Sequence, residues 1–129
     1  MVDFDVEIKK DFLEEALVNL NEVNGFFMKI DTISDTKFLI DKMFFLAHNL
    51  KGGSMSVGLN EITEFTNQLE LLVIKIQNNK IPISGEVIKT LKRSNVRLVE
   101  MLLVLKENLA ATFDNSDILI DLQSWLKGA

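Results

Sequence analysis

Cysteine and tyrosine are absent from the 129 residues, and histidine, proline and tryptophan occur once each, at His48, Pro82 and Trp125. Without cysteine there are no disulfides, thiol nucleophiles or thiolate metal sites, which suits a cytoplasmic protein. One histidine and no E-x-x-H element leave too few ligands for a metal or haem bundle, so neither cofactor nor metal is expected. No apolar run approaches the roughly 18 residues of a membrane span; MFFLA (43–47) and LLVI (71–74) are soon broken by polar residues. The start, MVDFDVEIKKDF, lacks the basic-then-apolar order of a signal peptide, so no membrane insertion is expected. A net charge of −5, without clustered Lys and Arg, argues against nucleic acid as a partner. Neither G-x-x-x-x-G-K-[ST] nor a glycine-rich kinase loop occurs, so the chain holds no ATP site and is not a catalyst in isolation.

What is present is helical periodicity. The length fits one domain spanning residues 1–129 with a core of its own, and 47% of residues are apolar. Ile8, Phe12, Ala16, Leu20, Val23 and Phe27 recur every three or four residues, with Asp3 or Asp5 as N-cap and Gly25 near the frayed end. After the cap-rich DTISDT (31–36), with Ser34 or Asp35 as the next N-cap, Phe38, Met43, Phe44, Leu46, Ala47 and Leu50 point to a helix in the middle of a bundle. A third helix is expected over about 59–78, with Leu59, Ile62, Phe65 or Thr66, Leu69, Leu72 or Val73, and Ile76 on one face. Pro82 forbids its continuation and Ser84 caps a fourth helix bearing Leu91, Leu98, Leu102, Leu105 and Leu109. DNS at 114–116 precedes a short last helix with Ile118, Leu122, Trp125 and Leu126. The expected fold is all-α: an up-down-up-down antiparallel four-helix bundle plus a short fifth helix.

Within the second helix, AHNLKGGSMSVG (47–58) sets the lone histidine beside two residues that weaken helices by about 1 kcal/mol each. On one reading KGG is the C-terminal stop and His48 an ordinary surface residue. On the other the helix runs on to Gly58, and His48, Lys51 and Gly52 share one strip at i, i+3 and i+4. Glycine there clears a depression through which a partner reaches the imidazole, and Lys51 attracts phosphoryl oxygens. An imidazole protonated on Nδ1 keeps Nε2 as a nucleophile near neutral pH, provided an acceptor holds Nδ1–H. In a hairpin turning at Gly58, Glu70 stands opposite His48, since one lies twelve residues after the turn and the other ten before it. Asn67, Thr66 and Thr63 lie on the same facing helix.

The pattern H-x-x-K-G-x-x-x-x-x-G, formed by His48, Lys51, Gly52 and Gly58, resembles the histidine phosphotransfer (Hpt) signature. The longer stretch AHNLKGGSMSVGLNEITEFTNQLELL is similar to the N-terminal phosphotransfer domain of the CheA chemotaxis kinases, and the likeness covers most of the chain. The resemblance implies that His48 is phosphorylated on Nε2 by a kinase catalytic domain, in cis or in trans. It then passes the phosphoryl group to an aspartate of a response regulator receiver domain in two-component signalling. It implies that Glu70 orients the imidazole, that Lys51 assists transfer, and that Gly52 and Gly53, with Asn49 and Met55, form the binding surface of a monomeric domain. Where such domains often carry a second histidine, this chain has Asn67, which can hydrogen-bond but cannot titrate. Two alternatives stand beside this reading. One is a stand-alone carrier of a multistep phosphorelay. The other is a non-phosphorylated helical adaptor using exposed apolar residues among Met55, Val57 and Leu59.

Overall fold

The computed structural model describes residues 3–30 and 33–128, with backbone only for residues 33 and 34. Five helices account for the order of elements: α1 (Phe4–Phe27), α2 (Ile33–Val57), α3 (Asn60–Gln77), α4 (Gly85–Glu107) and α5 (Ser116–Lys127). No strand occurs among the described residues. The all-α bundle expected from the periodicity is the observed fold.

Local chemistry sets most of the boundaries. Asp3 caps α1, its Oδ1 accepting from the Asp5 and Val6 amides. Helix α2 ends in a Schellman turn: Gly58 adopts φ +77°, its amide bonds to the Met55 carbonyl, and the Leu59 amide bonds to the Ser54 carbonyl. Ser84 caps α4 through the Val87 amide. Asp114, rather than a capping side chain at Asn115, receives the Ser116 amide and hydroxyl at the start of α5.

Several expectations are corrected. Helix α2 begins at Ile33, so Ser34 and Asp35 lie inside its first turn and neither is the N-cap. Gly25 does not end α1, which continues to Phe27. Leu59 precedes α3 and Leu109 lies beyond α4. Ile8 and Phe38, read as core residues, are 55% and 50% exposed. Ile8 precedes Leu13, the first buried residue of α1, whereas in α2 the buried stripe runs through Leu39, Ile40, Met43, Leu46, Ala47 and Leu50, which leaves Phe38 at its margin.

Side-chain pairs define the packing. Asp41–Gln77, His48–Glu70 and Ser54–Thr63 descend along α3 as they rise along α2, so these two helices form an antiparallel hairpin. Phe26 meets Phe38 edge-on near the connection between α1 and α2. Against α4, α1 is held by a buried amide: Asn95 Nδ2 donates to the Leu20 carbonyl and to Asn24 Oδ1. Helix α5 packs on α3 and is tied to α4 by Trp125 Nε1 donating to Thr90 Oγ1, and by the ion pairs Arg93–Asp121 and Arg97–Asp117. The core between them is mainly aliphatic around a buried Phe65, with Leu13, Leu20, Leu39, Ile62, Leu69, Leu72, Leu91, Leu98 and Leu102 essentially inaccessible. Each such side chain contributes about 1.5–3 kcal/mol of transfer free energy. The seam between α2 and α3 carries the polar site.

Candidate functional site

Because α2 runs unbroken through Gly52 and Gly53, His48 lies in its interior and not beside a stop signal. The i+3 and i+4 spacing then places Lys51 and Gly52 on the strip bearing His48, while Ala47, Leu50 and Ser54 turn inward and are buried. The structure therefore separates the structural stop, Gly58, from the glycines beside the imidazole.

Across the seam, Glu70 projects from α3 with its side chain only 10% exposed. Its Oε1 accepts from Lys51 Nζ at 3.2 Å, and its Oε2 faces His48 Nδ1 at 3.4 Å. The second contact is longer and less well directed than a formed hydrogen bond, so Oε2 is a buried carboxylate oxygen without a hydrogen-bond partner. A buried charge of this kind is costly unless paired, and Lys51 supplies half of the pairing. The remaining oxygen is aimed at the one group nearby able to acquire a positive charge. The imidazole itself is 59% exposed.

Below the site, fully buried Ser54 exchanges a 2.8 Å hydrogen bond with Thr63 Oγ1 and bonds to the Lys51 carbonyl at 3.1 Å. Thr66 returns its hydroxyl to the Ile62 carbonyl. Of these, the Ser54–Thr63 bond joins α2 to α3 one to two turns from His48, while the other two lie within single helices. Asn67 is exposed and makes no hydrogen bond to the imidazole.

The two glycines differ. A Cβ on Gly52 would meet nothing within 4 Å, whereas one on Gly53 would stand 2.5 Å from Phe12 Cε2. Gly52 therefore leaves open surface beside His48, and Gly53 admits the Phe12 ring of α1. Gly53 also lines, with Asn49 and Phe45, a cavity of about 280 Å³ between α1 and α2. Met55 is 62% exposed, but Leu59 is buried and Val57 half-buried, so the apolar patch expected of an adaptor does not form.

Phe44 was placed by its spacing in the core, and it does pack there in part. It also stacks on the His48 ring, with centroids 5.8 Å apart and planes 18° apart. The available signal was the i, i+4 spacing of an aromatic residue and the histidine.

Among the described residues no group of three or more His, Asp or Glu side chains could hold a metal, and no helix is long and apolar enough to cross a membrane.

The family model of the Hpt domain matches residues 7–115, a span that includes every residue of this site. The chain is 28% identical over 124 residues to the chemotaxis protein CheA of Treponema pallidum, covering 93% of this chain and 15% of that protein. It is 31% identical over 117 residues to the chemotaxis protein CheA of Borreliella burgdorferi, covering 89% of this chain and 13% of that one. Against the sensor histidine kinase CheAY of Helicobacter pylori it is 28% identical over 98 residues, covering 76% and 12%. The chain thus spans only 12–15% of the length of these relatives. No solved structure matches it. A helical bundle with an exposed histidine facing a buried glutamate, matched over most of its length by one family, belongs to the Hpt domain family.

Proposed function

We propose that His48 is a phosphoryl-carrying residue, charged by a CheA-type kinase catalytic domain on the same chain or another and discharged onto an aspartate of a response regulator. The observation that carries this reading is the buried Glu70 carboxylate, with one oxygen on Lys51 and the other, unpaired, facing His48 Nδ1. With its proton on Nδ1, the imidazole presents the Nε2 lone pair to the donor. That pair forms the N–P bond to the γ-phosphorus of ATP, and the P–O bond to the β-phosphate breaks with its electrons leaving on ADP. No proton moves, so the ring becomes cationic, and Glu70 Oε2 gains the charged N–H partner it lacks in the resting state. An interaction stronger after charge develops than before it lowers the barrier. In the second step the N–P electrons return to Nε2 as the aspartate oxygen takes the phosphoryl group, and the ring is neutral again. Lys51 balances Glu70 in both steps and lies within one turn of the incoming phosphoryl oxygens.

On this reading the domain is a monomeric, cytoplasmic carrier and not a catalyst by itself. Its partners are a kinase domain and a receiver domain, in two-component signalling of the chemotaxis type. Nothing in the site calls for a cofactor. Incubation with a CheA-type catalytic domain and γ-labelled ATP tests the proposal: the wild-type chain is expected to acquire acid-labile label and His48→Gln none. Equal labelling of the Gln variant would overturn it.

A further inference from the structure

We infer that Phe44 is a positioning residue for His48, fixing the plane of the imidazole while Glu70 selects which edge faces inward; this rests on the phosphoryl-carrier reading above. The imidazole is more than half exposed, and its contact with Glu70 is a single long one. A lone contact of that kind leaves rotation of the ring about the Cβ–Cγ bond weakly restrained. Phe44 supplies the missing restraint. It lies one turn before His48 on α2, and helical side chains lean toward the N-terminus, so the histidine ring rests over the phenyl face. The rings are nearly parallel, at 18° and 5.8 Å, an offset-stacked arrangement. Phe44 is itself held, packed against the core on one side and edge-on to the Phe45 ring at 5.6 Å.

Stacking leaves two ring orientations related by a half-turn, one with Nδ1 toward Glu70 and one with Cδ2 there. The carboxylate distinguishes them, because only Nδ1–H can donate. Both restraints together direct the in-plane Nε2 lone pair away from α3. Neither does so alone: without Phe44 the plane wanders, and without Glu70 the half-turn is free.

The test uses the 129-residue chain and phosphoramidate, a small donor whose P–N bond breaks as the Nε2–P bond forms and ammonia leaves. Since His48 is the only histidine, its two ring C–H proton resonances are unique. Ring current from Phe44 is expected to hold them upfield, and Phe44→Leu is expected to move them downfield. The same variant is expected to be phosphorylated about two- to tenfold more slowly, the range supported by aromatic pairing. Phe44→Tyr, which keeps the ring, is expected to restore both readouts, whatever either variant does to melting temperature. Phosphorylation of Phe44→Leu at the wild-type rate, or unmoved His48 resonances, would overturn the positioning role. A rate loss seen with a kinase domain but not with phosphoramidate would also overturn it, since that pattern marks Phe44 as a docking contact. Wild-type chain that takes no phosphoryl group from either donor would refute the carrier reading and this role together.

Discussion

The two adjacent glycines are chemically identical and are expected to respond to substitution with opposite signs. Gly52 faces open space, so Gly52→Gln exchanges a poor helix former for a good one without steric cost. The expected gain is about 0.5–1 kcal/mol, or about 2–5 °C in Tm for a chain of this size. Phosphoryl transfer to a receiver domain is expected to fall, because the new side chain occupies the surface beside His48. Gly53→Ala gains about 1 kcal/mol of propensity. It also places a methyl carbon 2.5 Å from Phe12 Cε2, where either the half-buried ring or the helix must move. Overpacking of this kind costs about 1–3 kcal/mol, so the net expectation is a loss of up to about 2 kcal/mol. In a Phe12→Ala background the obstacle is gone and Gly53→Ala should become stabilising, a coupling of about 1–3 kcal/mol between the two positions. Urea unfolding followed by circular dichroism, with the m-value checked for constancy, reads Gly52→Gln and the four proteins of the Phe12–Gly53 cycle. A stabilising Gly53→Ala in the wild-type background, or the same effect in both, would refute the assignment of Gly53 to α1 packing. Full transfer by Gly52→Gln would refute the clearance assigned to Gly52.

Two further outcomes are expected. Glu70→Ala should slow phosphorylation of His48 by about ten- to a hundredfold, the equivalent of one charge-assisted hydrogen bond. It should do so with the helical content unchanged, since it removes a buried charge and not core volume; labelling at the wild-type rate would count against the role of Oε2. The attachment of α5 should depend on acidity. Arg97, through its side-chain hydrogen bonds, holds the Asp117 carboxyl down from 3.8 to about 2. Ser116 holds Asp114 down likewise, through its hydroxyl and its amide. A depressed folded-state value means that the stabilisation is complete above about pH 4 and is lost as pH falls through about 2. Trp125, the only tryptophan, lies on α5 and reports this by fluorescence. Asp117→Asn should flatten the acid dependence of thermal stability across that window, and an unaltered profile would exclude the Arg97 pair as its source.

How far the sequence reached depended on the range of the interaction concerned. Asp3, Gly58 and Ser84 act within a few residues of themselves through caps and a left-handed turn; Gly58 and Ser84 were legible, and Asp3 was one of two candidate caps beside Asp5. The pairing of His48 with Glu70 was legible too, because a hairpin of two regular helices turning at a known glycine has one register. Ser34 and Asp35 misled because two adjacent cap-forming residues before an apolar run permit several starts one or two residues apart.

By itself the sequence determined five amphipathic helices and the turn that folds α2 onto α3, and it offered the strip shared by His48, Lys51 and Gly52 as one of two readings that the unbroken α2 then decided. Each of these follows from periodicity or from bonds between near neighbours. Tertiary structure alone decided that Gly53 serves Phe12 while Gly52 stays open, since a residue without a side chain leaves no pattern showing who needs the space. It alone buried Glu70 with one oxygen unpaired, and seated α5 against α3 and α4 through Arg97 and Asp117. Distances between helices are set by how whole faces interlock, and no spacing along one chain segment records them.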